Sequence, residues 1–357
     1  MLWRRRSEKV NKYPSRKRPK TFLIVIIVIL VVLLGIAGFA YLQLKDIHDQ
    51  SNYTPDDELP HIVDESEEAS LASEYADIDF FPDTPEEDKK KNDPVEPEPV
   101  QAKTYNLLLV GVDRRDRTWN GNSDSMILVT VNHDKQTIFL TSFQRDLYAN
   151  IDGYGVRKLN HAYAVGGGPL LVQTLRKNYG VQIDNYAAVD FFSMIEIIDM
   201  FGGVDVEISA QEAKMVNAFI DDFANRYNIK GAEHIPTTGG MTHLDGLASL
   251  CYSRNRSIGN DSARTQRQRN IIQAVIRKAR EMSFSDLYAK VYEIVPHILH
   301  NVSSEQLVSL LTTVPGALKY GVQELRVPFD GMYKSYNEIK TPNSMEETRA
   351  KIRSIIY

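Results

Sequence analysis

Four arginines (Arg254, Arg256, Arg264 and Arg267) and Gln268 fall within Tyr252–Gln268, Y-S-R-N-R-S-I-G-N-D-S-A-R-T-Q-R-Q. Guanidinium groups are planar five-donor forks that grip phosphate and carboxylate oxygens in pairs. Arg254 and Arg256 fall on one side of an extended segment, because side chains there alternate with a period of two. A helix opened by Ser262 puts Arg264 and Gln268 at i and i+4 on one face. The two same-facing pairs, separated by a Gly-Asn-Asp turn, form an anion clamp; the competing reading is a solvated, basic helix start. Further upstream, Asp113 is followed two residues later by Arg115, Asp124 stands before an apolar run, and Arg145-Asp146 ends another. Carboxylates grouped with arginines suit a phosphate group held by a hard divalent cation, whose ligands are oxygens. The alternative is a set of turn residues and surface ion pairs. No Ser-His-Asp or Cys-His arrangement is evident. His161, between Asn160 and Tyr163, reads as a structural hydrogen-bonder, and Cys251, between Leu250 and Tyr252, as a small buried hydrophobe.

The elements that must position these groups alternate in type. Tyr105–Val112 is a short continuous apolar run, as in a strand buried on both faces, and it delivers Asp113 at its end. Met126–Val131 and Thr137–Phe143 follow as strands joined by the turn Asn132-His133-Asp134-Lys135. The run Gly166-Gly167-Gly168-Pro169 predicts a helix through Asn178 stopped by Gly180, and a strand follows at 186–190. A helix over 192–201 and a strand over 204–208 come next. Residues 209–243 lack clean periodicity and read as an insertion over the site. Helices are predicted at 247–252, 263–282, 285–298 and 303–318, the last opened by a Ser303–Gln306 capping box, with a return strand at 323–327. In the second of these, Ile271, Ile272 and Val275 continue at helical spacing and anchor it in a core. Strands alternating with helices predict an α/β fold, a layered α-β-α domain with a central mixed sheet.

The 357 residues carry a net charge of −5 that hides a strong asymmetry. Residues 1–20 are basic, and Phe22–Tyr41 is apolar without a charge, about 20 residues, enough to cross a ~30 Å hydrocarbon core. Basic residues on the N-terminal side predict a cytoplasmic tail at 1–20, a single transmembrane helix at 21–43 and an extracellular remainder. A cleavable signal peptide is the competing reading, with Gly38-Phe39-Ala40 as its cleavage site, but its apolar core is normally only about 7–15 residues. Residues 44–103, rich in Asp, Glu, Pro and Ser, predict an acidic disordered extracellular linker in which Ile78-Asp79-Phe80-Phe81 is an isolated apolar cluster. The folded domain then covers 104–330, with a C-terminal tail at 331–357. The single cysteine excludes an intramolecular disulfide, which suits a Gram-positive surface protein and a cytosolic one equally. Nucleic acid is disfavoured as a partner, since the folded part lies outside the membrane and has no basic recognition helix apart from the site.

Read in order, the chain has G-V-D-R-R (111–115), N-S-D-S-M (122–126), S-F-Q-R-D (142–146), K-L-N-H-A-Y (158–163), L-D-G-L-A-S-L-C-Y-S-R-N-R (244–256) and A-R-T-Q-R-Q (263–268). This succession, over most of 104–282, closely resembles the LytR-CpsA-Psr family of cell-wall ligases. The resemblance implies a membrane-anchored phosphotransferase that takes a glycopolymer, teichoic acid or capsule, from a polyprenyl-pyrophosphate carrier. It attaches that polymer to the 6-hydroxyl of N-acetylmuramic acid in peptidoglycan. By similarity, Asp113 and Asp124 hold Mg²⁺, with Mn²⁺ as an alternative, against the pyrophosphate. Arg145, Arg254, Arg256, Arg264 and Gln268 hold the pyrophosphate itself, with Arg115 and Lys158 as weaker additions. The prenyl tail is expected in an apolar tunnel built from residues of 170–201 and 271–310. As catalytic base for the sugar hydroxyl, Asp146 and Asp261 are both candidates beside Arg145. Two departures stand out: S-F-Q-R-D lacks the proline the family commonly has before the arginine, and Ser262-Ala263 replaces an aromatic-Gly pair. The rival readings are a polyprenyl-pyrophosphate phosphatase, with water as acceptor, and a non-catalytic surface regulator or transcription attenuator.

Overall fold

The apolar run ending at Asp113 forms a central strand of the main sheet. The computed structural model describes residues 52–53, 75, 78–114, 120–259 and 261–357. Its strands are β1 (Asn52–Tyr53), β2 (Thr104–Asp113), β3 (Asn122–Asn132), β4 (Thr137–Phe143), β5 (Tyr148–Ile151), β6 (Gly155–Lys158) and β7 (Asn185–Val189). They continue as β8 (Val204–Ile208), β9 (Gly240–Leu244), β10 (Leu299–His300), β11 (Gly321–Val327), β12 (Tyr333–Tyr336) and β13 (Ile339–Pro342). The helices are α1 (His161–Tyr179), α2 (Phe191–Met200), α3 (Ala210–Tyr227), α4 (Gly246–Arg254), α5 (Asp261–Glu281), α6 (Phe284–Ile294), α7 (Ser304–Ala317) and α8 (Met345–Ile356).

Seven strands pair in the order β1-β10-β7-β2-β3-β4-β11. The β2–β3 and β3–β4 pairs are antiparallel, while β2–β7 and β4–β11 are parallel, so the sheet is mixed. Alternate residues of β2, among them Leu108, Val110 and Val112, face a core built with Leu171 and Leu175 of α1 and Ile352 and Ile356 of α8. On the opposite face Ile127, Ile138 and Leu140 pack against Ile272 and Ile276 of α5. Helices on both faces of a mixed sheet are the architecture the alternation predicts. A second cluster joins α2, α3, α4 and the antiparallel β8–β9 pair to Ile271 of α5.

Three segments depart from the sequence reading. Composition predicts a tail at 331–357, yet Met345, Ile352 and Ile356 are fully buried in the main core. Each such side chain contributes about 1.5–3 kcal/mol on burial, so this segment is part of the domain. Composition also predicts a disordered linker up to residue 103. Phe80 instead packs edge-on against Tyr148 (5.5 Å) and Tyr336 (6.4 Å), and Glu86–Asn92 winds into a 3-10 helix. Arg349 of α8 holds this segment by donating to the backbone carbonyls of Lys91 and Asp93. In 209–243, read as lacking periodicity, α3 begins at a complete Ser209–Glu212 capping box and buries Ala213, Val216, Ile220 and Phe223. α1 starts at His161, ahead of the glycines, and kinks at Gly166 and Gly167. At Gly168 an added Cβ would stand 2.2 Å from the Tyr186 ring, so the close approach of helix to sheet requires glycine there. Among the described residues no helix is long and apolar enough to cross a membrane. The expected span at 21–43, like Arg115, lies outside the described residues.

Candidate active site

The pairing of β2 with β3 shifts register between Gly111, opposite Ser125, and Val112, opposite Ser123. Asp124 is therefore the extra residue of a bulge, a device that re-aims a side chain out of the regular ladder. Asp113 ends β2 opposite Asn122, so both carboxylates emerge at one end of adjacent strands. Met126 pairs with Phe143, and two residues beyond Phe143 the chain delivers Arg145 beside Asp124. Its Nη1 donates to Asp124 Oδ1 at 2.8 Å.

The segment after α4 comes to the same place. Arg256 Nη2 lies 3.6 Å and Arg264 Nη1 4.0 Å from Asp124 Oδ2, so one carboxylate faces three guanidinium groups. Arg254 Nη2 lies 4.0 Å from Asp113 Oδ2, its guanidinium stacked 3.9 Å from the Phe191 ring centroid. Contacts of 3.6–4.0 Å are longer than hydrogen bonds, so these arginines keep donors for another anion. Arg264 is buried, its side chain only 3% exposed, and it contacts Asp261 at 2.9 Å. Burial lowers its pKa, with the Asp261 carboxylate opposing. For Arg145, burial works against the charge, but the hydrogen bond and field of Asp124 outweigh it and the pKa rises. Among the described residues, Arg264 Nε and Gln268 Oε1 are buried and have no hydrogen-bond partner. Orphaned polar atoms of this kind, on the face predicted to hold an anion, fit a site completed by a ligand.

The remaining candidates divide. Arg267, in the same run, is engaged at all three guanidinium nitrogens, by Glu212 (2.8 Å) and the carbonyls of Asn255 (2.9 Å) and Ile258 (2.8 Å). It ties the Arg256–Arg264 loop to α3 and α5. Lys158, on β6, is paired with Glu338 at 2.6 Å. Asp146 is held by Lys340, whose Nζ lies 2.9 Å from its carboxylate and whose backbone N–H donates to its carbonyl at 2.7 Å. Asp261, at the start of α5, faces Arg264 and contributes to the field at Arg145. Sequence reasoning passes over Arg114, which pairs with Asp190 at 3.1 Å while Asp190 caps α2 through Ser193 N–H. The signal was its place beside Asp113 in the first motif. The His161 ring is half-buried edge-on to Tyr154, its Nε2 without a hydrogen bond, and burial pushes its pKa down to about 4.

Among the described residues no group of three or more His, Cys, Asp or Glu side chains gathers as a metal cage. Mg²⁺ does not require such a cage, because that ion takes one or two carboxylates and completes its shell with water and substrate phosphate.

The model of the LytR_cpsA_psr family matches residues 80–353. The polyisoprenyl-teichoic acid–peptidoglycan teichoic acid transferase TagU of Bacillus cereus is 31% identical over 235 residues, 65% of this chain and 71% of its own length. Biofilm regulatory protein A of Streptococcus mutans is 31% identical over 235 residues, 62% of this chain and 54% of its own length. In fold, the chain is similar to the solved structure of the LytR-CPS2A-psr family protein YwtF (TagT) of Bacillus subtilis with bound octaprenyl pyrophosphate lipid. There the TM-score is 0.52 at 22% identity, over 75% of this chain and 95% of that one.

Proposed function

The chain belongs to the LytR_cpsA_psr family, and from that premise we propose that it is a membrane-anchored phosphotransferase joining a glycopolymer to peptidoglycan. The donor is a polyprenyl-pyrophosphate-linked glycan and the acceptor the 6-hydroxyl of N-acetylmuramic acid. The observation that carries the reading is the meeting of Asp124 with Arg145, Arg256 and Arg264 beside buried, unpartnered donor and acceptor atoms. Phosphoryl transfer needs charge stabilisation and in-line positioning more than covalent help from the protein.

Arg145, Arg254, Arg256 and Arg264 grip the pyrophosphate, and Gln268 adds a polar contact from the Arg264 face. Asp113 and Asp124 hold Mg²⁺, or Mn²⁺, which when bound neutralises charge on the phosphate oxygens. The acceptor oxygen forms a bond to the glycan-linked phosphorus, and the bond from that phosphorus to the bridging oxygen breaks, releasing polyprenyl phosphate. Asp146 or Asp261 takes the hydroxyl proton in this reading; each carboxylate lies 2.9 Å from a cation, Lys340 and Arg264 respectively. The second sheet face supports a place for the prenyl chain. Leu107, Leu109, Ala187 and Val189 are only half-buried there and lead toward Gly111 and Asp113. Residues 21–43, as a membrane span with the basic tail inside, would keep the domain at the surface where such a lipid resides.

The test is a reconstituted reaction of the full chain with labelled lipid-linked glycan and peptidoglycan oligomers. Label joined to the oligomer, and lost with Arg264→Ala, is the expected result. Label that leaves the lipid without joining the oligomer makes the protein a phosphatase. Binding of pyrophosphate without any release makes it a sensor.

A further inference from the structure

One cavity of the described structure lies outside the arginine–aspartate cluster yet shares a residue with it. It has a volume of about 150 Å³ and opens between α3 and α4. Phe219, Phe223 and Tyr227 form its aromatic wall, and Asp222, Arg226 and Arg254 are its charged lining. The aromatic wall is continuous: Tyr227 packs tilted by 42° against Phe223 at 4.5 Å and meets Phe192 edge-on at 5.3 Å, and Phe192 is 42% exposed. Asp222 and Arg226, one turn apart, pair at 3.2 Å with side chains 63% and 55% exposed. A surface pair of that kind contributes little to stability, so both groups can exchange partners at small cost. Arg254 lies against the Phe191 ring on one side and 4.0 Å from Asp113 on the other.

We propose that this pocket is a saccharide subsite, holding the pyranose ring next to the phosphate gripped by Arg254. The inference rests on the phosphotransfer reading for its neighbouring phosphate. A pyranose presents an apolar C–H face and a rim of hydroxyls. The aromatic wall matches the first, and a carboxylate beside a guanidinium matches the second, as in sites that are mostly apolar with a few placed polar groups. A hydrocarbon occupant would strip water from Asp222, Arg226 and Arg254 without replacing its hydrogen bonds, which disfavours the prenyl chain here. The sugar can come from the donor glycan or from the acceptor strand, and both present the same chemistry to the pocket.

Saturation-transfer NMR and calorimetry on the full chain in nanodiscs test this with three probes: N-acetylhexosamine 1-phosphate, a phosphate-free muramyl disaccharide and inorganic pyrophosphate. Saturation of ring protons is expected for at least one sugar probe. Tyr227→Ala should weaken that probe about tenfold, a loss of about 1.4 kcal/mol, while pyrophosphate binding stays within about twofold of the parent. Dependence of the sugar phosphate on Tyr227 assigns the subsite to the donor, and dependence of the disaccharide assigns it to the acceptor. The exposed variants Asp222→Asn and Arg226→Gln give the same reading if Tyr227→Ala does not fold. Sugar binding indifferent to all three substitutions, or no sugar binding while pyrophosphate binds, overturns the proposal and leaves the phosphotransfer reading standing. Loss of pyrophosphate binding from the parent protein overturns that reading, and a Tyr227-dependent sugar signal then still supports the subsite.

Discussion

Replacing Asp124 with Asn removes the one negative charge that three arginines share. The Arg145 bond at 2.8 Å is charge-assisted, and such bonds contribute about 1.5–3 kcal/mol. Asp124 is 24% and Arg145 33% exposed, so solvent screening trims the value, and the Asn carbonyl keeps a weaker bond. The expected loss of stability is about 2 kcal/mol, or a fall in Tm of about 4–8 °C for a domain of this size. Binding of bare pyrophosphate should move the other way. With the divalent ion chelated, the variant presents uncompensated guanidinium groups and should bind pyrophosphate about tenfold more tightly, a gain of about 1.4 kcal/mol. With Mg²⁺ added, the parent should gain affinity and the variant should not. Thermal shift and calorimetry with and without EDTA measure all three quantities. If parent and variant respond equally to Mg²⁺, Asp124 is only a counter-ion for Arg145 and its role as metal ligand is wrong.

The His161 imidazole has its pKa held near 4 by burial, below the usual 6.5, so folding favours the neutral form. Its contribution is fully present above pH 6.5 and gone below about 4; the gap of about 2.5 units at 1.36 kcal/mol each bounds it at about 3 kcal/mol. Urea titrations at pH 7 and pH 5 should show about 2 kcal/mol of this loss in the parent, the part that falls between 6.5 and 5, and a flatter dependence in His161→Asn; equal slopes would put the acid sensitivity elsewhere. Arg264→Lys keeps the charge but loses the planar fork, and transfer should fall about 10²-fold, out of proportion to the loss of Tm from the weakened Asp261 pair. Arg267→Lys should do the reverse, losing about 3 kcal/mol or more of stability by leaving Glu212 poorly paired. Arg349→Met should release 86–98 from the domain, seen as new protease cleavage there, whereas unchanged resistance would show that Phe80 and its aromatic neighbours hold the segment alone.

The site was legible where chemistry depends on residue type and local period. Arg264 and Gln268 are one helical turn apart whatever surrounds them, and Asp113 and Arg145 come at or just after short apolar runs that suit buried strands and form them. The position of Asp124 was not legible, because a bulge depends on how two strands pair rather than on either strand alone. The segment 78–98 failed for a related reason. Composition measures how much apolar surface a stretch can bury, and this one buries little. Its order comes from distant partners: Asn92 accepts from Met345 N–H at 3.0 Å, and Arg349 takes the carbonyls of Lys91 and Asp93.

The difference between Arg264 and Arg267 follows the same logic. Both are buried on α5, three residues apart, and their side chains are 3% and 5% exposed. Sequence cannot separate them, since both belong to the same motif and the same helix. Glu212 separates them: it occupies Arg267 and makes that residue structural, while Arg264, facing Asp124 and Asp261, keeps a buried Nε without a partner. Glu212 is also the N3 residue of the capping box that starts α3, its carboxylate accepting from Ser209 N–H at 3.0 Å. The S-x-x-E pattern at 209–212 and the stripe of Ala213, Val216, Ile220 and Phe223 were the signals for that helix. One carboxylate thus starts α3, fixes the loop that carries Arg256, and leaves Arg264 as the buried guanidinium of this pair whose charge is directed at the site.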